Sequence, residues 1–85
     1  MSRTYTEEQV LALMALVEAR DRMGTVALMA HRAETETLCA RGFLDAMDKS
    51  TRDELRELAD AATKITLEAD RITEALDRIR REVQA

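Results

Sequence analysis

Residues 55–83 read LRELADAATKITLEADRITEALDRIRREV, in which apolar and alanine residues recur at alternating steps of three and four. The repeating positions are Leu55, Leu58, Ala62, Ile65, Ala69, Ile72, Leu76, Ile79 and Val83. This is the heptad spacing with which one helix packs along another helix. We therefore predict a helix over residues 51–84 that lies against a helical partner.

The sequence also predicts a helix over residues 6–47. Thr6 is a favourable N-cap residue, and Gln9 stands where a capping box needs it. Gly24 weakens a helix by about 1 kcal/mol without ending it, so it could mark a kink. The next cluster of small polar residues predicts a turn at 48–50. Residues 1–85 then form a single helical domain.

A short turn places the two helices antiparallel, so that residues whose numbers add to about 98 face each other. The first helix carries a matching row of apolar and small residues. We predict an all-α fold, an antiparallel helical hairpin resembling a coiled coil. The predicted intrachain seam consists of Leu16, Met23, Val26, Leu44, Leu55, Leu58, Ile65, Ile72, Leu76, Ile79 and Val83.

Apolar residues remain that this seam does not use. The segment before about residue 15 is expected to overhang the hairpin, and alanine and threonine beside the seam widen the buried face of the second helix. We therefore expect the hairpin to form a homodimeric helix bundle. The alternative is a monomeric three-helix bundle with a break at Gly24. The predicted partner or dimer interface consists of Val10, Leu13, Met14, Val17, Leu28, His31 and Leu38.

Composition limits the classes of protein to consider. The 85 residues include no proline and two glycines, which favours helices and argues against a β fold. The formal charge is −4, with acidic and basic residues interleaved, so we expect no direct nucleic-acid binding. The apolar run at residues 10–17 is shorter than the roughly 20 residues that span a bilayer. A single cysteine, Cys39, and no recognisable signal peptide favour a cytoplasmic location.

Few residues are of types that could form a metal-binding or catalytic site. His31 and Glu34 share a helical face with Cys39 further along, but a metal site needs three or four converging ligands. Arg56 and Arg71 are expected to face water opposite the seam. We predict no catalytic, metal or cofactor-binding residues and no enzyme activity.

The pattern therefore favours a non-catalytic protein-protein interaction module: a small helical adaptor, chaperone, or inhibitor or anti-activator that binds a larger protein partner. Two alternatives remain open. One is a small all-helical enzyme of chorismate-mutase-like size. The other is an inhibitor whose acidic second helix mimics a nucleic acid.

Overall fold

The computed structural model of this chain describes residues 4–43 and 48–85 and contains two long helices. Helix α1 comprises Glu7–Phe43 and helix α2 comprises Lys49–Gln84. The helices pack against each other in a particle measuring 67 × 19 × 14 Å. The predicted all-α hairpin is confirmed. Helix α1 passes through Gly24 without a break, so the three-helix alternative is wrong.

Local signals explain where the helices begin. The Thr6 N–H donates to Gln9 Oε1 at 2.8 Å, and the Gln9 N–H donates to Thr6 Oγ1 at 3.1 Å, which is the predicted capping box. Asp48 is the N-cap of α2 and accepts from the Thr51 N–H at 2.8 Å. Helix α2 therefore begins at Lys49, within the segment predicted as a turn. The predicted end of the first helix at residue 47 lies outside the described residues.

Contacts at both ends of the hairpin establish the antiparallel arrangement. The Tyr5 hydroxyl donates to the Gln84 carbonyl at 3.4 Å, and Arg41 Nε donates to the Arg52 carbonyl at 3.3 Å. Tyr5 contacts Gln84, the last residue of α2, so the segment before residue 15 does not project free of α2 over its whole length as predicted.

Burial defines the observed intrachain seam. Positions that are buried or half-buried recur at alternating steps of three and four on both helices. In heptad notation, the a positions are Leu13, Arg20, Ala27, Glu34 and Arg41 of α1 and Arg52, Ala59, Thr66, Thr73 and Arg80 of α2. The d positions are Gln9, Leu16, Met23, Ala30 and Thr37 of α1 and Leu55, Ala62, Ala69, Leu76 and Val83 of α2. We call these twenty positions the seam.

The observed seam differs from the predicted seam at every second position. The d residues Leu16, Met23, Leu55, Leu76 and Val83 lie in the seam as the sequence indicates. The other predicted members lie one residue away from it, at g positions, and are exposed; these are Val26, Leu58, Ile65, Ile72 and Ile79. Leu44 lies outside the described residues.

Compared with the prediction, α2 is rotated about its own axis so that the residue after each exposed leucine or isoleucine of the predicted seam faces α1. The small size of alanine explains this rotation. Ala59 and Ala69 are 1% and 2% exposed, and together with Ala30 they are the buried apolar residues of the described chain. A methyl side chain lets two helix axes approach closely, whereas leucine or isoleucine at the same contact holds them apart. Threonine is accommodated beside them because the hydroxyls of Thr66 and Thr73 donate to the carbonyls four residues earlier, at 3.2 and 2.9 Å.

Candidate protein interaction surfaces

One side of α1 presents most of the residues predicted as an interface. The e and b positions of the heptad lie side by side on a helix, next to the a positions of the seam. Exposed aliphatic residues occupy five of these positions, with Asp21, Gly24, His31 and Thr35 between them. We call the five the outer stripe: Val10, Met14, Val17, Leu28 and Leu38. Two further predicted members differ. Leu13 is half-buried in the seam, and His31 lies on the stripe as an exposed polar residue.

The outer stripe faces outward beside a charged side of α2. The e positions of antiparallel helices lie on the same side of the seam, and an ion pair confirms this placement: Arg20 Nε lies 2.6 Å from Asp77 Oδ1. The two atoms have the distance of an ion pair without the alignment of an N–H···O hydrogen bond. The contact is close to the predicted register, in which position 20 faces position 78.

Carboxylates outnumber cationic groups along this side of α2. Its e and b positions include four carboxylates besides Asp77, three cationic residues and an exposed leucine. These residues are Asp53, Asp60, Asp70, Glu74, Lys49, Arg56, Arg81 and Leu67. Asp77 is already paired with Arg20, and Arg80 Nη2 lies 3.7 Å from the same carboxylate oxygen. The apolar outer stripe is therefore bordered on α2 by a surface with a net negative charge.

The other side of the hairpin carries a second apolar surface, built from the g positions of both helices. Helix α1 contributes four alanines and a valine, and α2 contributes larger aliphatic residues. We call this surface the aliphatic face: Ala12, Ala19, Val26, Ala33, Ala40, Leu58, Ile65, Ile72 and Ile79. Leu58 and Ile65 are 55% and 52% exposed. Sequence reasoning selected the α2 members of this face but assigned them to the intrachain seam.

The residues weighed for metal chemistry do not converge. His31 Nδ1 lies 3.9 Å from Glu34 Oε2, while Cys39 is a free, exposed thiol at the outermost position of its heptad. Within residues 4–43 and 48–85, no three His, Cys, Asp or Glu side chains are grouped so that they could hold a metal ion.

Two further observations bear on the class of protein. Within the described part of the chain, neither helix has an apolar stretch long enough to cross a membrane. Comparison with protein-family models, curated proteins and solved structures finds no significant match to this chain.

Proposed function

We propose that this chain is a non-catalytic protein-binding module, a small helical adaptor, chaperone or inhibitor that binds a larger protein through the outer stripe of α1. The observation that carries the proposal is the set of five exposed aliphatic residues on one side of α1, between positions 10 and 38. Apolar rows bordered by charged residues are typical of protein interfaces, and helices often dock against such rows.

The charge beside the stripe indicates the chemistry of the partner. An amphipathic helix lying between α1 and α2 would contact apolar side chains on one flank and more carboxylates than cationic groups on the other. The fitting partner is therefore a helix whose apolar row is flanked by Lys or Arg, because opposite charges guide docking and fix its orientation. Leu28 and Asp70, which lie at similar heights on the two helices in the observed register, would contact the two rows.

The proposal includes a cytoplasmic location. The exposed thiol of Cys39 supports it, since a free accessible cysteine persists in a reducing compartment.

A matched pair of variants tests the proposal. Leu28→Asp places a charge in the middle of the outer stripe, where Leu28 is 50% exposed in the free chain. Thr25→Asp places the same charge on the outward side of the same helix. We expect a protein captured from the source cells to bind the unmodified chain and the Thr25 variant, and to bind the Leu28 variant about tenfold or more weakly. Circular dichroism should show equal helix content in all three chains.

Two outcomes would contradict the proposed function. One is capture of a protein that binds both aspartate variants equally well. The other is recovery of no protein partner together with turnover of a metabolite by the purified chain.

A further inference from the structure

The aliphatic face is large and free of charge along both of its rows. The α1 row contains only alanine and valine, and the α2 row from position 58 to position 79 contains only leucine and isoleucine. The hairpin leaves these side chains in contact with water while it buries only alanines in its described residues. A lone hairpin therefore forgoes most of the apolar burial that stabilises small domains.

We propose that a second copy of this chain covers the aliphatic face, forming a four-helix bundle whose two-fold axis runs parallel to the long axis of the hairpin. In this arrangement α1 of each copy lies over α2 of the other copy, and both turns are at the same end. The inference uses a surface separate from the outer stripe and goes beyond the proposed function.

Side-chain size favours this arrangement over the alternative, in which the two-fold axis is perpendicular to the long axis of the hairpin and α1 of one copy lies over α1 of the other. Residues of the two g rows at the same height have numbers that add to about 98, as in the register predicted for a short turn. Across the two-fold axis, Ile65 would then meet Ala33 of the second copy, and Ile72 would meet its Val26. Large residues would lie against small ones along the interface, which allows dense packing. An axis perpendicular to the hairpin would place isoleucines against isoleucines and alanines against alanines.

The charged residues at the edge of the aliphatic face also favour the parallel axis. The c positions of α2, which flank its g positions, include Glu54, Glu68 and Glu82. A perpendicular axis would bring the α2 helices of two copies together and align these carboxylates with each other. The parallel axis places them beside the c positions of α1, where alanine, methionine and phenylalanine occupy three of six positions. Like-charge contacts are thereby avoided.

The available area is sufficient for a specific dimer. The charge-free row of α1 extends from position 12 to position 40, about 42 Å at 1.5 Å per residue. With the 19 Å width of the hairpin, the face covers roughly 800 Å², which is about what each partner buries in a stable interface.

Sedimentation of two glutamate variants tests the surface. Ile65→Glu places a charge at the centre of the aliphatic face, and the symmetry of the dimer places it there twice. Leu67→Glu changes an even more exposed residue of α2 on the other side of the hairpin. We expect the dimer dissociation constant to rise by about 100-fold or more for the Ile65 variant. It should stay within about threefold of the parent value for the Leu67 variant. Equal effects of the two variants, or a monomeric parent chain, would overturn the proposal.

Crosslinking tests the direction of the axis, and it remains decisive if Ile65→Glu unfolds the chain. In a Cys39→Ser background, a chain carrying Val26→Cys is mixed with a chain of distinguishable mass carrying Ile72→Cys, and a short bismaleimide is added. The parallel axis predicts a crosslink between the two different chains and little self-crosslinking of the Val26 variant. The perpendicular axis predicts the reverse, because Val26 lies at the middle of the α1 row and would meet its own copy.

The outcomes for the two surfaces can be separated. Leu28→Asp should leave the dimer mass unchanged, and Ile65→Glu should change the dimer mass whether or not a partner protein is ever captured. Failure of the dimer therefore does not imply failure of the outer stripe, and the converse also holds.

Discussion

At the scale of single residues, Gly24 shows that contacts with α2 keep α1 helical at a residue that weakens a helix. It lies in the interior of the helix, is exposed, and has no side-chain or distant backbone atom within 4 Å of the position that a Cβ would occupy. The helix continues through it because the seam residues on both sides, Met23 and Ala27, hold α1 against α2.

Gly24→Ala should therefore stabilise the folded chain by roughly 0.5–1 kcal/mol, since alanine loses less backbone entropy in a helix. Chemical denaturation at a fixed protein concentration measures the change. Gly42→Ala is the control and should give a smaller gain, because Gly42 lies one residue before the end of the described helix. A loss of stability at position 24 would show that the helix is not regular there.

Asp48 links the start of α2 to pH. The backbone N–H of Thr51 is the main cause that lowers the pKa of this carboxyl from its ordinary 3.8, with help from the Thr51 hydroxyl and the Ser50 N–H. A lowered pKa in the folded chain means that the ionised cap stabilises the fold above about pH 3.8. This contribution is lost as the pH falls through the lowered pKa.

Asp48→Asn keeps a capping side chain but removes its titration. We expect the parent chain to be more stable than the variant near pH 7, where its charge also favours the helix N-terminus, and the difference to be smaller near pH 3. Urea denaturation at the two pH values measures this. An advantage of the parent that persists unchanged in acid would contradict the role of the carboxylate.

At the scale of the helix elements, the alanines of the seam set the distance between α1 and α2. Ala69→Leu should destabilise the hairpin by about 1–3 kcal/mol, because a larger side chain forces the helices apart at a fully buried contact. Lys64→Leu introduces the same side chain at an exposed, outward position of the same helix and should stay within about 0.5 kcal/mol of the parent. Denaturation midpoints measured at one protein concentration compare the two. Equal effects would place the seam elsewhere.

The sequence predicted the elements well because their signals are local. The capping residues Thr6 and Gln9, the shortage of glycine and proline, and the unbroken heptad repeat define two helices joined by a short turn. The hairpin and its approximate register follow from these features alone.

The rotation of the helices could not be predicted in the same way. From position 55 to position 79, the g, a and d rows of α2 contain only aliphatic residues, alanine and threonine. The periodicity is equally regular with Leu58 or with Ala59 as the inward residue. Hydrophobicity favours the larger side chains as the residues that face α1, whereas in the structure the smaller ones face it. The choice depends on how closely two helices can approach, which is a property of both helices together. The same error displaced Leu13 from the predicted interface into the seam.

At the scale of the whole molecule, the hairpin has more apolar surface than one copy can bury. Among the described residues, most of the exposed large aliphatic side chains lie in the outer stripe or in the aliphatic face. If the aliphatic face pairs two copies, the α1–α2 contacts predicted from the sequence, such as Ile65 with Ala33, form between chains rather than within one. Folding and association are then coupled, and stability rises with protein concentration.

The mass of the unmodified chain in solution, measured by sedimentation equilibrium over a range of concentrations, tests this account most directly. We predict a particle of twice the 9.6 kDa chain mass at micromolar concentration, dissociating on dilution as its helix content falls. A particle of 9.6 kDa that remains fully helical and monomeric at the highest concentration would contradict the account.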